Sequence, residues 1–285
     1  MTWVDERLYV GARDLGYTQR FRAERVVCER TSAYQDLMVF ETRGFGRVLM
    51  LDGVVQVTER DEFIYHEMMS HVPIIAHGAA KRVLIIGGGD GGILREVLRH
   101  PIEQATMIEL DPGVVAVCRQ HMPSLSAGAF DDPRACLRFA DGVKFVAETA
   151  ERFEVVIVDS TDPIGPGEVL FSESFYADCR RCLTPGGVLV TQNGVPLLQP
   201  EEMANTARRL GRVFADWRFY VAAIPTYVGG FMAMGWASDN PALRRQDESL
   251  LARRFQSAGF ETRYYSPAMH VASFTLPPYV ERLLS

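Results

Sequence analysis

The chain has 285 residues, a formal charge of −6 and 47% hydrophobic residues, enough apolar material to bury a sizeable core. It offers no basic stripe to a nucleic acid, no run of about eighteen apolar residues to cross a bilayer, and no apolar stretch near Met1 to act as a secretory leader. Five cysteines, an odd number without an export signal, read as free thiols in a reducing cytoplasm. The first part of the chain reads as β, with short runs at Arg25–Glu29, Asp36–Glu41, Arg47–Leu51 and Val54–Val57 separated by Gly-containing turns such as Asp52-Gly53. A helix follows, capped by Asp61, with Phe63, Ile64, Met68 and Val72 on one face and an end at Pro73.

The pattern changes near Lys81. Strand Arg82–Ile86 runs into a glycine-rich loop and a helix over Ile93–Arg99. Then come strand Ala105–Glu109, a helix from Asp111, strand Leu137–Ala140, a helix from Gly142 and strand Glu154–Asp159. Helix Ser172–Leu183 is stopped by Pro185-Gly186-Gly187, ahead of strand Val188–Gln192. A helix near Pro200–Phe214, strands near Arg218–Ala223 and Phe231–Ala237, and a last helical pair complete the chain. This alternation predicts an α/β fold, a doubly wound and mostly parallel sheet of Rossmann type behind a small β domain. The expected division is residues 1–78 for the β-strand domain with its linking helix and 79–285 for the Rossmann-like domain.

Gly87, Gly89 and Gly92 fit G-x-G-x-x-G between strand and helix, a pattern that lets a ligand approach a helix N-terminus. Alone it is also the pattern of a turn needed only for packing. Glu109 ends the next strand about twenty residues on, where an acid accepts from ribose hydroxyls. Asp90 separates the candidate ligands. A carboxylate in this loop repels a dinucleotide's pyrophosphate by several kcal/mol at about 4 Å and an intermediate dielectric, but attracts a sulfonium or an ammonium. This argues against an NAD-dependent oxidoreductase. Asp141, before Gly142, is placed to accept from an exocyclic amine or to cap the next helix.

Asp159 ends a buried strand at the carboxyl edge of the sheet, where ligands bind in open α/β folds, and Asp162 lies three residues on in a Pro/Gly-rich loop. Asp90, Glu109, Asp141 and Asp159 are thereby expected to converge, an arrangement that costs energy unless a cation binds or pKa values rise. His66 could hydrogen-bond a ligand amine, although a single helical histidine is more often structural. Glu59, Asp61, Glu62 and Glu67 read on their own as a solvated face and caps. Cys179 and Cys182, one helical turn apart, read as two buried thiols rather than half a zinc site, and no histidine spacing suggests a metal.

Several long words in register extend this reading: Leu51-Asp52-Gly53-Val54-Val55-Gln56, Thr58 to Met68, Gly87 to Gly92, Asp159 to Gly167 and Ile224 to Gly230. Together, from Tyr34 to the C-terminus, they resemble the spermidine synthases, the polyamine aminopropyltransferase family, in its bacterial form. The resemblance implies a class I methyltransferase-like fold and transfer of an aminopropyl group from decarboxylated S-adenosylmethionine, a co-substrate rather than a cofactor, to putrescine. The products would be spermidine and methylthioadenosine. It places Gln35, Asp90, Glu109, Asp141, Gly142 and Pro166 on the donor, and Tyr65, His66, Asp90, Asp159, Asp162 and Tyr227 along the amine channel. Asp159 would be the general base, the loop from Ser160 to Leu170 a lid, and Trp3 the counterpart of an N-terminal tryptophan. The same chemistry on cadaverine, agmatine or spermidine is the nearest alternative, and amine N-methylation from S-adenosylmethionine a more distant one. The expected partners are the diamine and the sulfonium nucleoside, with no nucleic acid or membrane, in a homodimer or homotetramer.

Overall fold

The computed structural model of the chain describes residues 2–7, 9–10, 13–14, 16–160 and 169–284. The first sheet is built from β1 (Thr2–Asp5), β4 (Arg20–Thr31), β5 (Asp36–Thr42), β6 (Gly46–Leu51) and β7 (Val54–Thr58), all antiparallel in that spatial order; β2 (Tyr9–Val10) and β3 (Arg13–Asp14) form a separate small hairpin. The turn between β6 and β7 needs two left-handed residues, Asp52 at φ 50° and Gly53 at φ 80°. An Asp-Gly pair supplies such a turn at low cost. The Asp52 carboxylate then accepts from the Asp36 amide at 2.8 Å and ties the turn to β5.

The second sheet takes β8 (Arg82–Gly87), β9 (Gln104–Glu109), β10 (Ala135–Phe139), β11 (Phe153–Asp159), β12 (Leu183–Gln192), β13 (Asp216–Ala223) and β14 (Phe231–Ser238) in the order β10-β9-β8-β11-β12-β14-β13. The first five run parallel, and β14 enters antiparallel between β12 and β13. The order of the strands reverses between the parallel neighbours β8 and β11, and that crevice is where ligands bind in such sheets. The strands alternate their buried side chains between two layers. Val83, Ile85, Met107, Val155 and Ile157 face α1 (Glu62–His77) and α2 (Gly92–Leu98). Leu84, Ile86, Ile108, Val156 and Val158 face α5 (Gly142–Glu148), α6 (Glu173–Cys182) and α7 (Pro200–Val213). Burial on both faces explains why these strands read as continuous apolar runs. The small sheet joins this body through α3 (Pro112–His121) and the short α4 (Pro123–Ser126): Leu37, Val39, Leu49 and Leu51 pack with Val114, Val117, Cys118 and Leu125.

Several local expectations need correction. Helix α1 does not stop at Pro73 but runs through it to His77 and ends on Gly78. The flanking apolar side chains Val72, Ile74, Ile75 and Ala76 are all buried in the larger core, so tertiary packing outweighs the lost backbone bond. Pro185, Gly186 and Gly187 lie inside β12, where the pairing with β11 shifts register, rather than in a separate stop. Three helices close the chain, α8 (Glu248–Ala258), α9 (Pro267–Ser273) and α10 (Pro278–Glu281), not two.

The acids expected on a solvated face are instead cross-braces. The Asp61 side chain makes no cap bond; it accepts from the Thr58 hydroxyl at 2.6 Å and from the amide and hydroxyl of Thr226, after β13. Glu67, 1% exposed, accepts from the amides of Arg263, Tyr264 and Tyr265 at 2.8, 2.8 and 2.7 Å. A carboxylate satisfies three such donors and an amide side chain does not. Glu67→Gln is therefore expected to cost about 2–3 kcal/mol in denaturant unfolding and to speed hydrogen exchange at residues 263–265. An unchanged unfolding midpoint would show that the three amides find other partners.

Candidate active site

The carboxyl ends of β8 and β11 come together only because Gly87 lacks a side chain. Its φ is 81°, and a Cβ there would lie 2.0 Å from the Asp159 carbonyl oxygen. At the other end of the loop, a Cβ on Gly92 would lie 2.1 Å from the His66 ring. The glycines thus let Asp159 and His66 close on the two ends of the loop, with Asp90 between those ends in sequence. The Asp90 carboxylate accepts from the Gly92 amide at 2.7 Å through Oδ1, and its Oδ2 lies 3.3 Å from His66 Nε2. The other ring nitrogen, Nδ1, is 2.6 Å from Glu62 Oε2. Asp159 Oδ1 accepts from the Tyr65 hydroxyl at 2.6 Å. The Tyr65 ring packs edge-on against Tyr227, centroids 6.1 Å apart, and the Tyr227 hydroxyl donates to the Gln56 carbonyl at 2.6 Å. Tyr65, His66, Glu62, Asp61, Thr226 and Tyr227 line one narrow cleft between α1 and the loop after β13.

The opposite side of the Gly87–Gly92 loop carries a second group of acids. Glu109 ends β9, is 8% exposed, and accepts from the Asp111 amide at 2.8 Å. A Cβ on Gly89 would stand 3.0 Å from Glu109 Oε2, so loop and carboxylate are in direct contact. Asp111 caps α3 through the Gly113 amide, and its other oxygen accepts from the Ser32 hydroxyl at 2.7 Å and the Gln35 side-chain amide at 3.0 Å. Gln35, in the loop between β4 and β5 of the small sheet, is thereby anchored to Asp111, next to Glu109. Asp141 caps α5 by accepting from the amides of Val143 and Lys144, and Gly142 opens that helix at the end of β10.

The structure therefore gathers Gln35, Asp90, Glu109, Asp141 and Gly142 along one edge, and Tyr65, His66, Asp159 and Tyr227 around the adjoining cleft. Asp162, Pro166 and most of the loop expected as a lid lie outside the described residues. Trp3 does not join the group: it is 53% exposed on β1, with the Arg20 guanidinium 5.2 Å over its ring. Cys179 and Cys182 are buried, and burial pushes both thiols up. Sequence reading missed Asp111 and Glu62 as organisers of the site. The only signals were an Asp before Pro-Gly for the first, and an i, i+4 spacing to His66 for the second.

Electrostatics mark the cluster as a place for cations. Burial raises the Asp159 carboxyl to about 6, with the Asp90 charge adding and the Tyr65 hydrogen bond and the His66 charge opposing. Burial also raises Glu109 to about 7; the Asp111 amide opposes this, while the charges of Asp111 and Asp159 add to it. Burial would lower His66, but Asp90 and Glu62 outweigh that cost and raise it to about 10, so the ring keeps its charge. That charge in turn keeps Asp90 below its ordinary value despite its burial. Carboxylates at the end of a buried strand pair, with raised proton affinity and a phenol for company, can accept a proton from a bound ammonium.

The family model described as the spermine/spermidine synthase domain matches residues 62–247, and the spermidine synthase tetramerisation domain matches residues 12–59. The chain belongs to the spermine/spermidine synthase family. Among its relatives is the polyamine aminopropyltransferase of Sodalis glossinidius, 57% identical over 270 residues covering 94% of each chain. Polyamine aminopropyltransferase 1 of Pseudomonas aeruginosa is 57% identical over 266 residues, 93% of each. A spermidine synthase solved with the transition-state analogue AdoDATO superposes at a TM-score of 0.93 with 37% identity, covering 99% of this chain and 94% of that one. The spermidine synthase of Thermotoga maritima gives 0.90 and 35% over the same shares. The family membership accords with the mostly parallel sheet and the antiparallel N-terminal sheet described above.

Burial of the ionised acid cluster costs folding stability. Asp159 has a folded pKa of about 6, above an unfolded carboxylate near 3.9, so the folded state binds more protons between those values. Its contribution to stability therefore improves as pH falls from about 7 to about 4. Asp159→Asn is expected to melt higher than the parent at pH 8, with the gain fading as pH falls through about 6. Thermal melts at both pH values check this, and equal melting temperatures at pH 8 would contradict it.

Proposed function

We propose that this chain transfers the aminopropyl group of decarboxylated S-adenosylmethionine to putrescine, forming spermidine and methylthioadenosine. The observation that carries the reading is the pair of carboxylates at the glycine loop, Asp90 within it and Asp159 at the end of β11, between the edge that carries Glu109 and an aromatic cleft. High identity to named aminopropyltransferases over more than nine-tenths of the chain supports it.

On the donor side, Glu109 would take the ribose hydroxyls, Asp141 and Gly142 the adenine, with Gln35 and Pro166 beside the thioadenosine. Asp90 would pair with the aminopropyl ammonium. The acceptor would thread the cleft past Tyr65, His66 and Tyr227, with Asp159 and Asp162 at its reacting amine. Putrescine is doubly protonated at neutral pH, and an ammonium has no lone pair with which to attack. Asp159, its proton affinity raised by burial, takes one proton. The freed nitrogen then forms a bond to the carbon beside the sulfonium, and the carbon–sulfur bond breaks. The sulfur keeps the electron pair and departs as neutral methylthioadenosine, so the leaving group needs no acid. The displacement draws on no metal or redox group. Alignment of nitrogen, carbon and sulfur is the larger share of the catalysis, worth up to about 10 kcal/mol. The Asp159 hydrogen bond to Tyr65 and the Gly87 contact serve that alignment.

The assembly belongs to the same proposal. A homodimer or homotetramer is supported by the tetramerisation match over residues 12–59 and by Trp3 and Val26, 53% and 44% exposed on the small sheet. No described helix is long and apolar enough to cross a membrane, and the five cysteines are unpaired, which accords with a cytoplasmic enzyme.

A product assay tests the function. Decarboxylated S-adenosylmethionine with putrescine is expected to release methylthioadenosine and spermidine faster than with cadaverine, agmatine or spermidine as acceptor. No release with any acceptor would end the proposal, and methylation from S-adenosylmethionine would replace it. Asp159→Asn is expected to retain methylthioadenosine binding in calorimetry and to lose about a hundredfold to ten-thousandfold in kcat. Equal turnover in that variant would take the base role from Asp159.

A further inference from the structure

The proposed displacement leaves Glu62, Arg95 and Glu96, the charged groups next to His66, without a role. The His66 side chain is 2% exposed, and each of its ring nitrogens faces a carboxylate oxygen: Glu62 Oε2 at 2.6 Å from Nδ1, and Asp90 Oδ2 at 3.3 Å from Nε2. An ionised carboxylate only accepts, and a neutral imidazole has one N–H to give. Only the imidazolium satisfies both sides. Glu62 is in turn held by Arg95, whose Nη2 donates to the same Oε2 at 2.8 Å. Arg95 is fixed by the Leu125 carbonyl at 2.6 Å and by Glu96 at 2.8 Å. From the cleft inward the charges alternate: Asp90 negative, His66 positive, Glu62 negative, Arg95 positive, Glu96 negative.

We propose that Glu62, clamped by Arg95, is a positioning residue that keeps His66 doubly protonated, so that the ring supplies a fixed positive charge beside Asp90 and Asp159 and holds both ionised before an amine arrives. Two neighbouring carboxylates in a dry site otherwise tend to share a proton, and a protonated Asp159 cannot act as a base. The groups that face the ring are Glu62 and Tyr65 on its own helix and Asp90 from the loop after β8, with Arg95 and Glu96 of α2 behind Glu62, and the charge of Asp159 at the end of β11 also acts on it. The His66 charge acts to lower the proton affinity of Asp159, in the direction this role requires. The inference rests on Asp159 being the base.

Glu62→Gln keeps the shape of the side chain but can donate its amide to Nδ1, which permits a neutral ring. Histidine nitrogen NMR of the full chain reads the ring directly, with His66 identified by the signal lost in His66→Gln. In the parent both ring nitrogens are expected to stay protonated from about pH 6 to 8.5, and in Glu62→Gln the ring is expected to titrate within that range. The acidic limb of kcat/KM for putrescine, set by Asp159 near pH 6, should then move up by about one pH unit, a loss of about threefold at pH 6.5 that vanishes toward pH 8.5. A parent ring that loses a proton between pH 6 and 8.5 overturns the proposal whether or not the variant folds. An acidic limb in Glu62→Gln that coincides with the parent's also overturns it. Failure of the functional reading would show separately, as absence of methylthioadenosine release by the parent, and would leave the ring measurement intact.

Discussion

Gathering carboxylates at one edge of a buried sheet is the constraint around which the rest of the molecule is arranged. Asp90, Glu109 and Asp159 lie close enough for their charges to act on one another, in surroundings that penalise every charge. Three devices hold them there. The backbone amides of Gly92 and Asp111 donate to Asp90 and Glu109. A phenol donates to Asp159. A histidine carries the compensating charge beside Asp90. What remains uncompensated is a standing preference for cations.

That arrangement depends on backbone geometry more than on side-chain chemistry. Gly87 in a left-handed conformation brings β8 against β11 so closely that its missing Cβ is the space the Asp159 carbonyl occupies. Gly92 does the same for the His66 ring. The parallel strands that deliver these residues are rigid because both their faces are buried. The small sheet contributes the Gln56 carbonyl and, from its β4–β5 loop, Gln35, and its packing against α3 and α4 fixes both with respect to the Rossmann-type sheet. Helix α1 bridges the two: it presents Tyr65 and His66 to the cleft and uses Glu67 to fasten the segment after α8. A single helix thus carries cleft-lining residues and a structural cross-brace one position apart.

Different parts of this were legible to different degrees. The β-α alternation from Lys81 onward could be read because apolar strands bounded by Gly, Asp and Pro leave few alternatives. Asp90, Glu109, Asp141 and Asp159 could be named because each ends a strand or sits in the loop that follows one, and parallel topology sends such positions to the same edge. The helix end at Pro73 was misplaced because propensity favours a stop there while buried contacts with the larger core do not. Asp61 and Glu67 read as surface acids because their partners, Thr226 and residues 263–265, lie far along the chain. No local pattern announces such a bond.

The amino-acid sequence by itself determined the fold class and the family, and named the acids of the candidate site, since these rest on periodicity, on turn chemistry and on words of several residues in register. Only the tertiary structure decided how the acids are compensated. Whether Glu62 faces solvent or grips His66, whether Asp111 merely caps a helix or also anchors Gln35, and whether Trp3 reaches the cleft are set by contacts between distant segments. The physical reason is that a carboxylate's role follows from which donors stand within about 3 Å of it and how much water is excluded, and both are properties of the packed chain.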